Sequence, residues 1–190
     1  QWDQGTPYNL QCPEYPEGSG QRCLTGCVAT AMAQVLYYYK YPKDEISGLE
    51  SYTTRTDPIS VDALPSTTFI WKNMTTDDQE LAKLMRYCGQ LVEMDYAQDG
   101  SGAATQNILN LKNWGYSQEA KIVERTAYSD EEWENLIYRE LAAKRPVLYS
   151  GNNESGGDGH QFICDGYDGN GLFHMNWGWG GYQDTYFVLS

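Results

Sequence analysis

Two histidines are all the imidazoles that 190 residues supply, and the five cysteines are spread so widely that no C-x-x-C pair occurs. That scarcity argues against a structural zinc site, which needs four His or Cys ligands at short spacings. Basic residues are also scarce. Lys and Arg number 13 against 26 Asp and Glu, for a formal charge of −13, and they are scattered rather than gathered into a stripe. Phosphate binding requires clustered cations, so nucleic acid is excluded as a partner. No apolar run approaches the ~20 residues needed to span a bilayer. Nor does a basic-then-apolar leader open the chain, so the expectation is a protein that is cytosolic or already trimmed of a signal and any pro-segment. Phenylalanine is limited to 4 residues while tyrosine reaches 16 and tryptophan 6. Most aromatic surface therefore carries a polar handle, which suits cleft walls and wet interfaces.

What is present fits one folding unit, since the length allows a well-packed core and 41% of residues are apolar. Residues 1–21, rich in Gly, Pro, Asn and Gln, read as ordered loop. A helix is predicted from Cys27, with Val28, Met32, Val35, Leu36 and Tyr39 at helical spacing and Pro42 as its stop. Residues 43–75 are irregular, with room for short strands. "DDQELAKLMRYCGQLV", from Asp77 to Val92, opens on acidic residues suited to a helix N-terminus and puts Leu81, Leu84, Met85, Cys88 and Leu91 on one face. A short helix is expected at about 104–113. A clear one follows in "SDEEWENLIYRELAAKRP", with Ser129 as N-cap, Glu132 as capping-box partner and Pro146 as stop. "PVLYSG", "HQFICDGYD", "GLFHMNWGW" and "TYFVLS" are short, alternating and separated by Gly and Asp turns, which predicts antiparallel sheet. Helices first and sheet last is an α+β arrangement.

Cys27 stands directly after Gly26 at a helix start, where unpaired N–H groups and the helix dipole favour negative charge and hence the reactive thiolate. On this feature alone the plainer reading, a small hydrophobe plugging a helix end, is favoured. A nucleophilic cysteine needs a base, and only His160 and His174 are available. His160 follows the glycine-rich "NNESGGDG", which would let a substrate backbone approach, and opens the strand "HQFICD". His174 lies mid-strand, where a packed or edge-exposed histidine is expected, so His160 is the candidate base. A hairpin turning near Tyr167–Gly169 would set His160 opposite Asn176, about 5 Å away, or opposite Trp177. His174 would then pair about 10 Å further along the ladder. In that geometry Asn176 would orient the imidazole and Trp177 would shield the contact from water. Cys12 and Cys23 flank a loop that a disulfide could close, and the sequence leaves the bridge open.

"DQGTPYN" at 3–9, "TGCVATAMAQVLYYYKYP" at 25–42, and "GH" followed sixteen residues later by "NWGWGG" together resemble the streptopain and interpain family of secreted bacterial cysteine peptidases. The resemblance implies a papain-like α+β fold of two subdomains within one catalytic domain, 1–190. A helix-rich half, about 1–115, would bear the nucleophile, a sheet-rich half, 116–190, would bear the histidine, and the cleft would lie between. It implies Cys27 as nucleophile, His160 as acid and base, Gln4 as an oxyanion-hole amide beside the Cys27 N–H, and Asn176 and Trp177 as supports of His160. It further implies Ser101 and Gly159 as substrate-backbone contacts, near an apolar pocket for the side chain two residues before the scissile bond. The glycine run before His160 is longer than the family pattern and the "DGSGAAT" loop shorter. A further strand is expected beyond "YFVLS", where this sequence stops. No metal or organic cofactor is expected; protein or peptide substrates, an inhibitory pro-segment in the precursor and secretion are. Two rivals remain at this stage: a transamidase or amidase using the same residues, and an aromatic-rich binding module without catalysis.

Overall fold

The computed structural model describes residues 1–152, 155 and 159–189. Helix α1 (Cys27–Tyr39) starts at Gly26, whose φ of 85° and ψ of 147° turn the chain sharply into the helix. It ends at Lys40 in the left-handed conformation, with the last carbonyls capped by backbone N–H groups. One apolar face was expected, but α1 is buried almost all round. Val28, Ala29, Met32, Ala33 and Leu36 enter the larger core, while Ala31 and Val35 meet Ile163 and Leu148 on its other side. Three alanines keep the helix thin enough to be shared by both.

Helix α2 (Asp78–Leu91) packs on α1, and its Asp77 cap accepts hydrogen bonds from the N–H groups of Gln79 and Glu80 at 2.9 and 3.3 Å. Leu84, Met85 and Cys88 are fully buried in the same core. A two-stranded ribbon, β1 (Tyr52–Thr53) with β2 (Ser60–Val61), lies in the otherwise irregular 43–75 segment. The short helix expected near 104–113 is a 3-10 helix over Thr105–Trp114.

The second core lies between α3 (Asp130–Ala142) and a four-stranded antiparallel meander of β3 (Val147–Asn152), β4 (Gly159–Tyr167), β5 (Phe173–Asn176) and β6 (Thr185–Phe187). Ser129 caps α3 by accepting from the Glu132 N–H at 3.2 Å, and the helix sets Trp133 and Ile137 onto the sheet. Among the described residues no helix is long and apolar enough to cross a membrane.

The hairpin register differs from expectation. Asn176 pairs with Ile163, not His160. The loop runs from Asp168 to Leu172, where Asp168 N–H bonds the Leu172 carbonyl and the Asp168 carboxylate accepts from the N–H groups of Asn170 and Leu172. The loop moves the pairing on by four residues, with Tyr167 facing Phe173, and an irregularity between Cys164 and Gly166 takes one of them back. Together these slide β5 by three residues from the expected register, and the ring that stacks on His160 is that of Trp179, beyond the end of β5.

Candidate active site

Of the five cysteines, Cys12, Cys23, Cys88 and Cys164 are at most 1% exposed, and all five are free thiols. Cys27 alone is half-buried and reachable. Burial pushes the Cys12 and Cys164 thiols up to about 12, and those of Cys23 and Cys88 also upward, so the core cysteines stay protonated and inert. Cys12 and Cys23 are therefore core residues here rather than a bridge.

Cys27 is the first residue of α1, and the Gln161 N–H donates to its sulfur at 3.4 Å. That contact brings the start of β4, and with it His160, over the helix N-terminus. Gln161 is itself fixed, being 3% exposed with its amide donating to the Tyr149 carbonyl at 2.9 Å.

His160 Nε2 lies 2.7 Å from the Trp177 carbonyl oxygen. A carbonyl only accepts, so Nε2 carries the proton and Nδ1 keeps its lone pair. The ring stacks on Trp179 with centroids 4.7 Å apart, and also on Phe162 and Trp177 at 5.9 and 6.2 Å. Burial in this aromatic setting lowers the imidazole below its ordinary value, and the Trp177 carbonyl opposes that more weakly.

The other expected residues are disposed unevenly. Gln4 is held beside the nucleophile turn, its carbonyl accepting from the Thr25 N–H at 3.1 Å and its own N–H donating to Asp3 at 2.7 Å. Ser101 Oγ donates to the Leu24 carbonyl at 2.8 Å, which presses the Ser101 loop against Gly26. Gly159 opens β4 opposite Asn152. The loop "NNESGGDG" falls largely outside the described residues. Asn176 does not orient the imidazole: its Oδ1 accepts from the Gly178 N–H at 3.1 Å and its Nδ2 donates to Gln34 Oε1 at 2.9 Å. The Trp177 main chain takes that part instead, held by a bond from its N–H to Asp184 at 2.9 Å. His174 pairs with Gly166, bonds Asp165 and packs on Tyr186. It sits about 20 Å along the strand from His160.

Sequence reasoning missed Gln34, Asp184 and Trp179 as neighbours of the site. The one available signal for Gln34 was a lone amide in the apolar run "VATAMAQVL".

A reachable cysteine at a helix N-terminus, bonded by the backbone N–H of the residue after a histidine on an antiparallel sheet, is an arrangement that suits a thiol peptidase on an α+β fold. The chain belongs to the Peptidase C10 family, which it matches over residues 2–187. It is 34% identical to streptopain of Streptococcus pyogenes over 216 residues, covering all of this chain and 53% of that protein. It is also 34% identical to the thiol protease/hemagglutinin PrtT of Porphyromonas gingivalis over 201 residues, covering all of this chain and 23% of that protein. The chain thus spans about half the length of streptopain and about a quarter of PrtT. Active wild-type interpain A cysteine protease of Prevotella intermedia superposes with a TM-score of 0.85 at 35% identity, over 99% of this chain and 82% of that one. A prointerpain A fragment gives 0.84 at 34% identity, over 99% and 62%.

Proposed function

We propose that this chain is the catalytic domain of a cysteine endopeptidase. The observation that carries the reading is that the one reachable thiol opens a helix and accepts from the N–H of Gln161, the residue after a histidine whose Nε2 is engaged by the Trp177 carbonyl, so that Nδ1 is the nitrogen left for proton transfer. In this reading the Cys27 proton passes to His160 Nδ1, and the thiolate attacks the peptide carbonyl carbon. The carbonyl electron pair moves to oxygen, where the Cys27 N–H and the Gln4 amide stabilise it. Collapse breaks the C–N bond as the imidazolium gives its proton to the leaving amine. His160 then takes a proton from water, the hydroxide displaces the thiolate, and the acyl group leaves as a carboxylate.

The Trp177 carbonyl keeps the imidazole in one tautomer through both steps, as the partner of a catalytic histidine must. Domain 1–190 works as two halves in this reading, a helix-rich one of about 1–115 bearing Cys27 and a sheet-rich one of 116–190 bearing His160. Two separate apolar cores, one around α1 and α2 and one between α3 and the sheet, support that division, with Ala31 and Val35 of α1 packed on Ile163 of β4 between them. Ser101 and Gly159 present backbone to the substrate, which is a protein or peptide with an apolar residue two positions before the cut. Secretion by a bacterium and a precursor with an inhibitory pro-segment complete the proposal, the latter supported by the relative solved as a prointerpain fragment.

The test is an intact mass after brief exposure to an epoxysuccinyl peptide, with the adduct mapped by digestion. One adduct, on Cys27 and lost in His160→Ala, is expected. No adduct, or labelling spread over several cysteines, would sink the reading.

A further inference from the structure

Resting on the peptidase reading above, we infer that Gln34 is a positioning residue, the tie that holds the histidine's carbonyl partner and the glutamine-bearing N-terminal segment in register with the nucleophile helix. Gln34 lies on α1 two turns after Cys27, about 10 Å along the axis. Its Oε1 accepts two hydrogen bonds, from the Trp2 N–H at 3.1 Å and from Asn176 Nδ2 at 2.9 Å. An amide oxygen has two lone pairs, so both are in use.

The orientation of this network is determined by its backbone members. Gly178 N–H can only donate, so the Asn176 atom facing it is Oδ1, which turns Nδ2 toward Gln34. Trp2 N–H can likewise only donate, so Gln34 must present its oxygen to both. The remaining Nε2 reaches the Thr30 carbonyl at 3.4 Å, within the helix's own turn.

Three segments meet at this one oxygen. The first carries Trp2, two residues before Gln4. Trp2 also stacks on Tyr37 of α1 at 5.1 Å, and its carbonyl accepts from the Gly180 N–H at 3.0 Å. The second is α1 with Cys27. The third runs from Asn176 to Gly180 and contains the Trp177 carbonyl that bonds His160. Close packing allows little slack: a side chain on Gly178 would meet Thr30 Cγ2 at 3.2 Å, and one on Gly181 would meet Gln1 Oε1 at 2.9 Å. Removing the acceptor leaves two half-buried donors, the Trp2 N–H and Asn176 Nδ2, unpaired. Both segments then lose their common reference to the helix, and displacement of about 1 Å at a reacting group costs on the order of a hundredfold in rate.

The test compares Gln34→Met, Asn176→Leu and the double variant with the unaltered chain, using a fluorogenic peptide amide for kcat and KM and 15N-histidine NMR for the His160 tautomer. Gln34→Met should lower kcat by about 10–100-fold with KM within about twofold, and should weaken the Nε2-protonated signature of His160. The double variant should lose less than the product of the two single losses, because both substitutions remove the shared Asn176–Gln34 bond. Gln34→Glu keeps an acceptor for both donors but adds a charge and turns an oxygen toward the Thr30 carbonyl, so a loss of kcat clearly smaller than that of Gln34→Met is expected; it also serves if the methionine variant does not fold. A kcat within twofold in Gln34→Met with an unchanged His160 spectrum overturns the assignment, as does equal impairment by Gln34→Glu. Cys27→Ala separates this from failure of the peptidase reading. If that variant still hydrolyses the substrate, the reading itself falls. If it is inactive while Gln34→Met is fully active, only the positioning role falls.

Discussion

Gly26→Ala tests how the nucleophile is held. The residue before Cys27 has φ 85° and ψ 147°, in a region that only glycine occupies without strain, which costs a side-chain-bearing residue about 1–3 kcal/mol. A Cβ there would fall 2.7 Å from Met94 Sδ and 2.8 Å from the Ser101 carbonyl oxygen. The methionine can turn, but the carbonyl belongs to a loop pinned by the Ser101–Leu24 hydrogen bond, so that contact adds about 1–3 kcal/mol of overpacking. The sum, about 2–6 kcal/mol, is a large part of a stability of roughly 5–15 kcal/mol and should lower the urea midpoint by about 1 M or more. Gly18→Ala is the control: its φ is 77°, and nothing lies within 4 Å of the added carbon, so it incurs backbone strain without overpacking. The assay is urea unfolding of both variants beside kcat/KM on a fluorogenic peptide. Gly26→Ala should be the less stable of the two. Where still folded it should lose about 10–100-fold in kcat/KM, because the Cys27 N–H and sulfur ride on the displaced turn. Equal midpoints with unaltered activity would refute the argument that Gly26 sets the approach of the 101 loop to the nucleophile.

Two further outcomes follow from His160. Its folded value lies below the ordinary 6.5 because burial disfavours the cation, so the unfolded chain binds more protons in the window just below 6.5. The resulting contribution to stability is fully present above 6.5 and is lost as pH falls toward the folded value. Urea midpoints of Cys27→Ala, measured from pH 7.5 to pH 5 without a thiolate to compensate, should therefore drop more steeply than those of Cys27→Ala/His160→Gln; parallel curves would contradict it. Trp179→Ala strips the ring stacked 4.7 Å from the imidazole, so NMR titration in the Cys27→Ala background should move His160 back up toward its ordinary value. No change would mean that Phe162 and Trp177 alone desolvate it.

The elements that sequence periodicity could see were those whose burial follows one rule along the chain. The apolar stripe of α2, the Asp77 and Ser129 caps and the four alternating strands each announce themselves locally, and they lie where expected. Helix α1 was legible as a helix but not as a shared wall, because its second face consists of Ala31 and Val35, too few and too small to mark a contact with the sheet. The hairpin failed for a different reason. Gly169 suggested a tight turn, whereas Asp168 accepts two backbone N–H groups with one carboxylate oxygen and thereby closes a longer loop.

That slip matters to the site because it decided which residue was credited with orienting His160. Pairing arithmetic pointed to a side chain, Asn176, since side chains are what a sequence displays. The group that bonds the imidazole is the Trp177 carbonyl, which every residue type possesses and no motif can advertise. Asn176 is then understood through its actual partners. By bonding Gly178 N–H on one side and Gln34 on the other, it holds the main chain on either side of Trp177 and so fixes where that carbonyl points. A polar side chain inside a functional motif can thus act by shaping the backbone beside it, and its substitution should be judged by what happens to the imidazole tautomer rather than by loss of a direct contact.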